Sequence, residues 1–287
     1  MSIKCFYHKA DLDGECSGAI VKYYHKETEL FPFDYGEEFP WDKIAPEDEI
    51  FMIDVSLPRN DMIKLKDSVK NLIYIDHHIS KINELKGVFF NGIQRDGVAA
   101  CILTWNYFIT DDTDSLKIPE AIKLLGYYDV WKIDDNVLDF QYGARSLDTN
   151  PENQDLWSVL FVNNKFVYSI KETGRYIRKY QDKIDKKNIL DFAFKTKFRD
   201  YSVLALNKTT GSSLIFKDHP DYKNVDILMV FGWIGNKWKI SLYTLKDDID
   251  VSIICKEFGG GGHKQAAGFK LDILTDSWEK CIFGGKI

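Results

Sequence analysis

The chain has 287 residues, 45% of them hydrophobic and 14% aromatic, with a formal net charge of −6. That length accommodates one large domain or two ordinary ones, each with a real core, and the composition excludes a disordered chain. The acidic balance argues against a protein that grips long duplex nucleic acid, because that grip comes from many Lys/Arg contacts to phosphates. No apolar run approaches the roughly 20 residues of a membrane-spanning helix, and Met1-Ser2-Ile3-Lys4 runs straight into a strand pattern, so neither a membrane segment nor a leader is expected. The five cysteines (Cys5, Cys16, Cys101, Cys255, Cys281) are odd in number and lack C-x-x-C spacing. Most sit in apolar runs, which predicts buried reduced thiols and a cytoplasmic location.

The first half alternates strand and helix patterns. Residues 3–7 read as a strand, and 14–27 as a helix with Ala19, Ile20, Tyr23 and Tyr24 on its apolar stripe. A short strand is predicted over 30–33 and a buried one over 49–55. Residues 58–70 are amphipathic, with Pro58 placed as a first-turn residue. Strands over 72–75 and 88–90 follow, then helices over 97–108 and, opened by Pro119, over 118–128. Continuous apolar strands separated by helices of this length predict a mainly parallel sheet covered by helices on both faces. Residues 157–190 carry long polar and aromatic side chains at helical spacing and read as one or two connecting helices, their charges solvated.

Beyond about Lys195 the pattern changes to alternating strands (YSVLALN, DILMVFGWIG, KWKISLYTL) and a short helix over 251–258 with Asp250 as its N-cap. Four glycines and His263 come next. The division expected is 1–150 for an α/β domain, 151–194 for a helical linker and 195–287 for a smaller α/β domain, with the active site in the cleft between domains.

A parallel sheet places its ligand at the carboxyl ends of its strands. Three strands discharge polar residues there: His8 and Asp11 after the first, Asp54 at the end of EIFMID, and Asp76-His77-His78 after NLIYI. Asp11 and Asp13 in HKADLDG suit one ligand for each of two neighbouring metal ions, but taken alone the motif favours a turn former and a helix cap, because D-x-D-G turns are common. Asp54 is either an ordinary strand-end acid or a carboxylate that needs a metal or a pairing group. Two adjacent histidines after an aspartate at a sheet rim favour a site, and their oxygen-rich neighbourhood favours Mn²⁺ or Mg²⁺. Asp129, at a helix end among other acids, carries little information alone. Gly259–Gly262 exceed what a helix cap needs and fit close approach of backbone to an anionic ligand beside His263. Phe231, Trp233, Trp238 and Tyr243 could stack bases, but alternation on strands reads better as core.

Together HKADLDG, the Asp54 strand, the Asp-His-His triplet, Asp129 and GGGGHKQAAGF resemble, in order and over most of the chain, the DHH/DHHA1 phosphoesterases. That superfamily includes single-strand exonucleases, oligoribonuclease/pAp phosphatases, cyclic-dinucleotide phosphodiesterases and family II pyrophosphatases. The resemblance implies a DHH domain, a DHHA1-like domain and two divalent ions, Mn²⁺ ahead of Mg²⁺. His8 and Asp11 would hold one ion, Asp13, His77 and Asp129 the other, and Asp54 would bridge them. Asp76 would orient a ligand histidine, His78 would face the phosphate, and Gly260, Gly261, Gly262 and His263 would bind substrate. The catalytic group would then be His78, Asp76 and Asp54. Two departures stand out: His8 lies one residue closer to Asp11 than in many members, and the fourth motif reads Asp129-Val130-Trp131 where oligoribonuclease-type members have D-T-G.

The function implied is a phosphoester hydrolase acting on a short oligonucleotide or nucleotide phosphate, with no membrane partner and with a homodimer compatible. Hydrolysis of pyrophosphate or polyphosphate is the alternative, and a non-catalytic nucleotide-binding module a more distant one.

Overall fold

The computed structural model describes residues 2–109, 118–273 and 278; Cys281 lies outside them. The chain divides into two compact units, Met1–Arg178 and Lys179–Ile287.

The first unit is built on four strands, β1 (Ile3–His8), β2 (Glu29–Phe33), β3 (Glu49–Ile53) and β4 (Asn71–Ile75), all parallel in the order β2-β1-β3-β4. Alternate side chains of these apolar runs leave on opposite faces. Phe6, Ile50, Met52, Leu72 and Tyr74 pack against Met62 and Leu65 of α2 (Arg59–Ser68). Cys5, Tyr7, Phe51, Ile53, Ile73 and Ile75 pack on the other face with Val21 of α1 (Leu12–Tyr24) and Ala100 and Leu103 of α4 (Ala100–Phe108). The sheet is therefore covered on both sides, as its unbroken apolar strands require. A short α3 (Ile79–Glu84) follows β4 directly.

A helical layer is packed behind α1 and α4. It comprises α5 (Glu120–Asp129), α6 (Asp135–Ala144), α7 (Gln154–Val162) and the start of α8 (Asn164–Phe192), around the fully buried Trp157 and Phe140. The boundary between the units falls within α8.

The second unit is a mixed sheet in the order β5-β6-β7-β8-β10-β9. Its strands are β5 (Phe194–Phe198), β6 (Tyr201–Asn207), β7 (Ile227–Trp233), β8 (Trp238–Tyr243), β9 (Gly261–His263) and β10 (Ala266–Leu271). Helix α9 (Val251–Glu257) begins at Asp250, whose side chain accepts from Ser252 N–H, as the sequence predicts. Among the described residues no helix is long and apolar enough to cross a membrane.

Several local expectations need correction. Residues 88–90 are not a strand; pairing with β4 resumes only as isolated bridges at Asn91 and Gln94. Gly92, at φ +106°, lies so close over Tyr74 that a Cβ there would sit 2.3 Å from the Tyr74 carbonyl oxygen, and that backbone cannot continue a regular ladder. Helix α6 goes beyond the elements expected from the sequence, because DNVLDFQYGA shows only a thin apolar stripe. Pro58 and Pro119 occupy N-cap positions, one residue earlier than a first-turn proline. Phe231 is core, and Tyr243 packs beside a core cluster of the second unit and donates its hydroxyl to the Gly211 carbonyl. Trp238 packs against the other core cluster of that unit, and of the four aromatics only Trp233 is substantially exposed.

Candidate metal centre

Register places the rim residues side by side. Tyr7 is paired with Ile53 and Ile53 with Ile75, so His8, Asp54 and Asp76 stand level at the ends of three adjacent strands. Asp54 N–H still donates to the Ile75 carbonyl, at 2.9 Å, but its φ of +60° turns the chain off the strand there. Aspartate tolerates this left-handed conformation better than most residues, at a cost of order 1 kcal/mol. Gly14 lets α1 begin against β1: a Cβ there would lie 2.0 Å from the His8 carbonyl oxygen. A side chain at this position would push α1 and its ligands away from His8.

The structure brings together every metal-ligating residue expected from the sequence. His8, Asp11 and Asp54 form one cluster, Asp13, His77 and Asp129 a second, and Asp54, His77 and His78 a third. His8 Nδ1 lies 3.1 Å from Asp11 Oδ2 and 3.4 Å from Asp54 Oδ2. His77 Nε2 lies 3.1 Å from Asp129 Oδ2, 3.3 Å from Asp54 Oδ1 and 3.7 Å from Asp13 Oδ2. Asp54 thus turns one oxygen to each histidine. Ligand atoms bonded to one ion at about 2.0–2.2 Å lie about 3.0 Å apart across a right angle and about 3.4 Å apart in a tetrahedron. Four of the five separations fall in that range, and the fifth, His77 to Asp13 at 3.7 Å, lies just beyond it. His8 Nδ1, Asp54 Oδ1 and Asp129 Oδ2 are also buried with no hydrogen-bond partner among the described residues. Orphaned buried polar atoms cost free energy, and a cation bound in place of the protons would remove that cost. The donor set fits divalent metal.

The charges perturb one another strongly. Burial pushes Asp13 up to about 7, reinforced by Asp54 and opposed by His77. Asp129 is likewise raised by burial, Asp13 and Asp54. Asp54 goes the other way: burial would raise it, but His77 and His8 hold it well below the usual carboxylate range. Burial disfavours charged His8, yet Asp11 and Asp54 outweigh it and lift the imidazole to about 11. In His77 burial is outweighed by Asp54, Asp13 and Asp129, giving about 10. Buried carboxylates in such number, compensated only by imidazolium, are what a dication would replace.

The helix-cap readings prove compatible with the site and are redistributed. Asp11, not Asp13, caps α1, its Oδ1 accepting from Gly14 N–H at 3.0 Å while Oδ2 faces His8. Asp13 caps a different helix, α4, accepting at 2.8 Å from both Ala100 and Cys101 N–H. Asp76 differs from expectation: its ring hydrogen bond goes to His78 (Oδ1 to Nδ1, 2.7 Å), not to His77, whose backbone N–H it accepts instead. Tyr74 hydroxyl donates to Asp76 Oδ2 and fixes it further.

Two neighbours escape sequence reasoning. Asp34 Oδ1 is 3.4 Å from His8 Nε2, and the Tyr35 ring lies 5.8 Å from His8 and 6.1 Å from His78. Both follow β2 at the rim, so the strand-end rule that finds the other acids could have found them. If His8 Nδ1 holds an ion, Asp34 is placed to fix the other ring nitrogen, the usual support for a ligand imidazole.

Gly260, Gly261, Gly262 and His263 lie in the second unit. A Cβ at Gly260 would meet the Gly268 carbonyl oxygen at 2.1 Å, and one at Gly262 the Ala266 carbonyl oxygen at 2.6 Å. Pairing of β9 on β10 therefore accounts for these two glycines, whereas a Cβ at Gly261 meets nothing within 4 Å.

A parallel sheet whose strand ends gather carboxylates and imidazoles into adjoining clusters defines an α/β protein with a candidate metal centre. No family model matches the chain. An uncharacterized protein of Acanthamoeba polyphaga mimivirus is 26% identical over 274 residues, covering 87% of this chain. The chain spans 58% of that relative's length. Among solved structures, the DHH domain of a member of a ribosomal-protein family is similar at TM-score 0.58, with 13% identity, over 97% of this chain and 84% of that one. The pGpG-specific phosphodiesterase PggH of Vibrio cholerae is similar at TM-score 0.53, also with 13% identity, over 95% and 94% of the two chains. The chain shares the fold of that DHH domain and of that phosphodiesterase.

Proposed function

We propose that this protein is a metal-dependent phosphoesterase that hydrolyses short oligonucleotides or nucleotide phosphates. The observation that carries the reading is Asp54, buried, with one oxygen toward His8 and the other toward His77. His8 and Asp11 would hold one divalent ion, Asp13, His77 and Asp129 a second, and Asp54 both; Mn²⁺ suits the mixed nitrogen–oxygen set, with Mg²⁺ as the alternative. Two such ions acidify a water between them and neutralise phosphoryl oxygens during in-line displacement.

The remaining groups would serve the substrate. Asp76 accepts from His78 Nδ1, which fixes the ring's orientation and raises the basicity of its other nitrogen. His78 is thereby the group to hold a phosphoryl oxygen and donate to developing charge. In the second unit, Gly261 with its open face, and His263, would contribute substrate contacts, with Gly260 and Gly262 shaping the strand that presents them.

The test is hydrolysis of a panel with Mn²⁺ and with Mg²⁺: a dinucleotide, pAp, a cyclic dinucleotide, pyrophosphate and polyphosphate. Turnover of one or more of the nucleotides is expected. Failure on all five substrates with either metal would refute the proposal, and cleavage of pyrophosphate or polyphosphate alone would transfer it to the base-free alternative.

A further inference from the structure

Helix α5 ends in an unusual way, two residues beyond Asp129. Val130 is the C-cap, Trp131 N–H donates to the Tyr128 carbonyl at 3.2 Å, and Lys132 N–H donates to the Tyr127 carbonyl at 2.8 Å. This pair of bonds is the Schellman motif, which requires the left-handed region at the residue that follows the cap, almost always a glycine. Trp131 sits there at φ +58°. The molecule shows the ordinary solution elsewhere. Helix α9 closes with the same two bonds, Gly259 N–H to Lys256 and Gly260 N–H to Cys255, and its left-handed residue is Gly259 at φ +75°.

Tryptophan is among the worst residues for this conformation, since its Cβ crowds the following carbonyl. Burial offsets little of that cost, because 52% of its surface is exposed. The strained backbone therefore carries an exposed indole two residues along the chain from Asp129 of the candidate metal centre. Asp129 Oδ2 faces His77, and two trans peptide steps put the Trp131 Cα within about 7.6 Å of the Asp129 Cα. A second observation points to a ligand. The residues flanking Trp131 line a cavity of about 250 Å³, walled by Ile102, Ile118, Tyr127 and Val130, with Lys123 and Lys132 among its lining. Neither lysine makes a salt bridge to a carboxylate among the described residues. An apolar recess with cationic groups, and an exposed aromatic carried between two of its lining residues, Val130 and Lys132, suits a planar base that carries phosphate.

We propose that Trp131 is a stacking platform for a nucleobase, and that it selects nucleotide substrates over base-free phosphates at the adjacent metal centre. This rests on the proposed phosphoesterase reading for its substrate class, but it is tested by binding, which needs no turnover. Calorimetric titration with 5′-AMP and with inorganic phosphate, both with Mn²⁺ present, would compare wild type with Trp131→Gly and Trp131→Phe.

Loss of one base stack weakens AMP by about 5- to 150-fold. We expect that loss in Trp131→Gly, a loss below about three-fold in Trp131→Phe, and phosphate affinity changed less than about two-fold in either. The melting temperature of metal-free Trp131→Gly should fall by less than about 6 °C, because relief of the left-handed strain offsets the packing of the half-buried indole. Equal weakening of AMP and phosphate, unchanged AMP affinity, or a fall of about 6 °C or more would overturn the inference. So would wild type that binds no AMP. Wild type that binds AMP through Trp131 yet hydrolyses nothing would sink the phosphoesterase proposal and leave the stacking site standing.

Discussion

Stripping metal from the protein should make its first unit less stable as pH rises from about 5 to about 7.5, the reverse of an ordinary salt-bridged carboxylate. Asp13 carries the argument, since its pKa climbs from 3.8 to about 7 through burial and the nearby Asp54. A carboxyl whose folded pKa is raised is protonated in the native chain while already ionised in the unfolded one. The native state then binds more protons, and stability falls as pH rises between the two pKa values. At about 1.36 kcal/mol per pKa unit, the whole difference is about 4 kcal/mol, of which about 2–3 kcal/mol falls between pH 5 and 7.5. His8 and His77, raised to about 11 and 10, act in the same direction above their ordinary value of 6.5. Carboxylates with lowered pKa, such as Asp226 at about 2, have finished titrating by pH 5 and do not interfere.

For a unit of this length, about 2–3 kcal/mol is a fall of about 4–12 °C in melting temperature. Mn²⁺ should invert the slope, because metal binds the deprotonated ligands and stabilises by about 2.7 kcal/mol at about one hundred times Kd. Calorimetry in EDTA and in Mn²⁺ at about pH 5, 6 and 7.5 measures both. Asp13→Asn should flatten the EDTA slope and abolish the Mn²⁺ effect, although it also removes one of the two oxygens that cap α4. A melting temperature in EDTA that is flat or rises across this window, or that Mn²⁺ leaves unmoved, would refute the reasoning.

Three further outcomes are expected. His77→Ala should lose stabilisation by Mn²⁺, whereas His78→Ala should keep it and lose at least about 10²-fold in kcat, read from melting curves and nucleotide hydrolysis side by side. Asp48→Ala should cost about 3–5 kcal/mol in denaturant unfolding, since the buried Lys4 ammonium loses its counter-charge at 2.6 Å and keeps only the Lys43 carbonyl as acceptor. The paired Lys4→Met and Asp48→Leu change should recover most of that loss, and a single mutant as stable as wild type would contradict the burial argument. Gly14→Ala must move α1 off the His8 carbonyl, so titration calorimetry should find Mn²⁺ bound at least about tenfold more weakly.

Much of the fold is legible in the sequence because the period is clear. NLIYI, EIFMI and IKCFYH are apolar almost throughout, and only strands buried on both faces tolerate that. The rim follows, since parallel strands of similar length in register bring their carboxyl ends level. Sequence could not supply what depends on non-local backbone. Residues 88–90 are as apolar as a strand, but Gly92 riding over Tyr74 breaks the ladder. Asp34 lies on a strand-end loop like the others, yet its role emerges only once β2 is seen beside β1, bringing the carboxylate to His8 Nε2. The glycine run reads as one feature and is two: backbone approach of β9 to β10 at Gly260 and Gly262, and an open position at Gly261.

The capping and metal readings of Asp11 and Asp13 compete only if a carboxylate has one task. Each has two oxygens, and the structure divides them. Asp11 gives Oδ1 to the first turn of α1 and turns Oδ2 to His8. Asp13, 87 residues away in sequence from Ala100, accepts the first two free N–H groups of α4 while its Oδ2 also faces His77. Those N–H groups favour the ionised carboxylate and fix its rotamer, so helix termini supply the outer support that a metal ligand needs. Capping is how these side chains are held for the site. The consequence reaches α4 as well: with its N-terminus tied to a proposed ligand, a substitution at Asp13 should loosen that helix and the candidate metal centre together, whereas His77→Ala should leave the cap intact and remove only the proposed ligand.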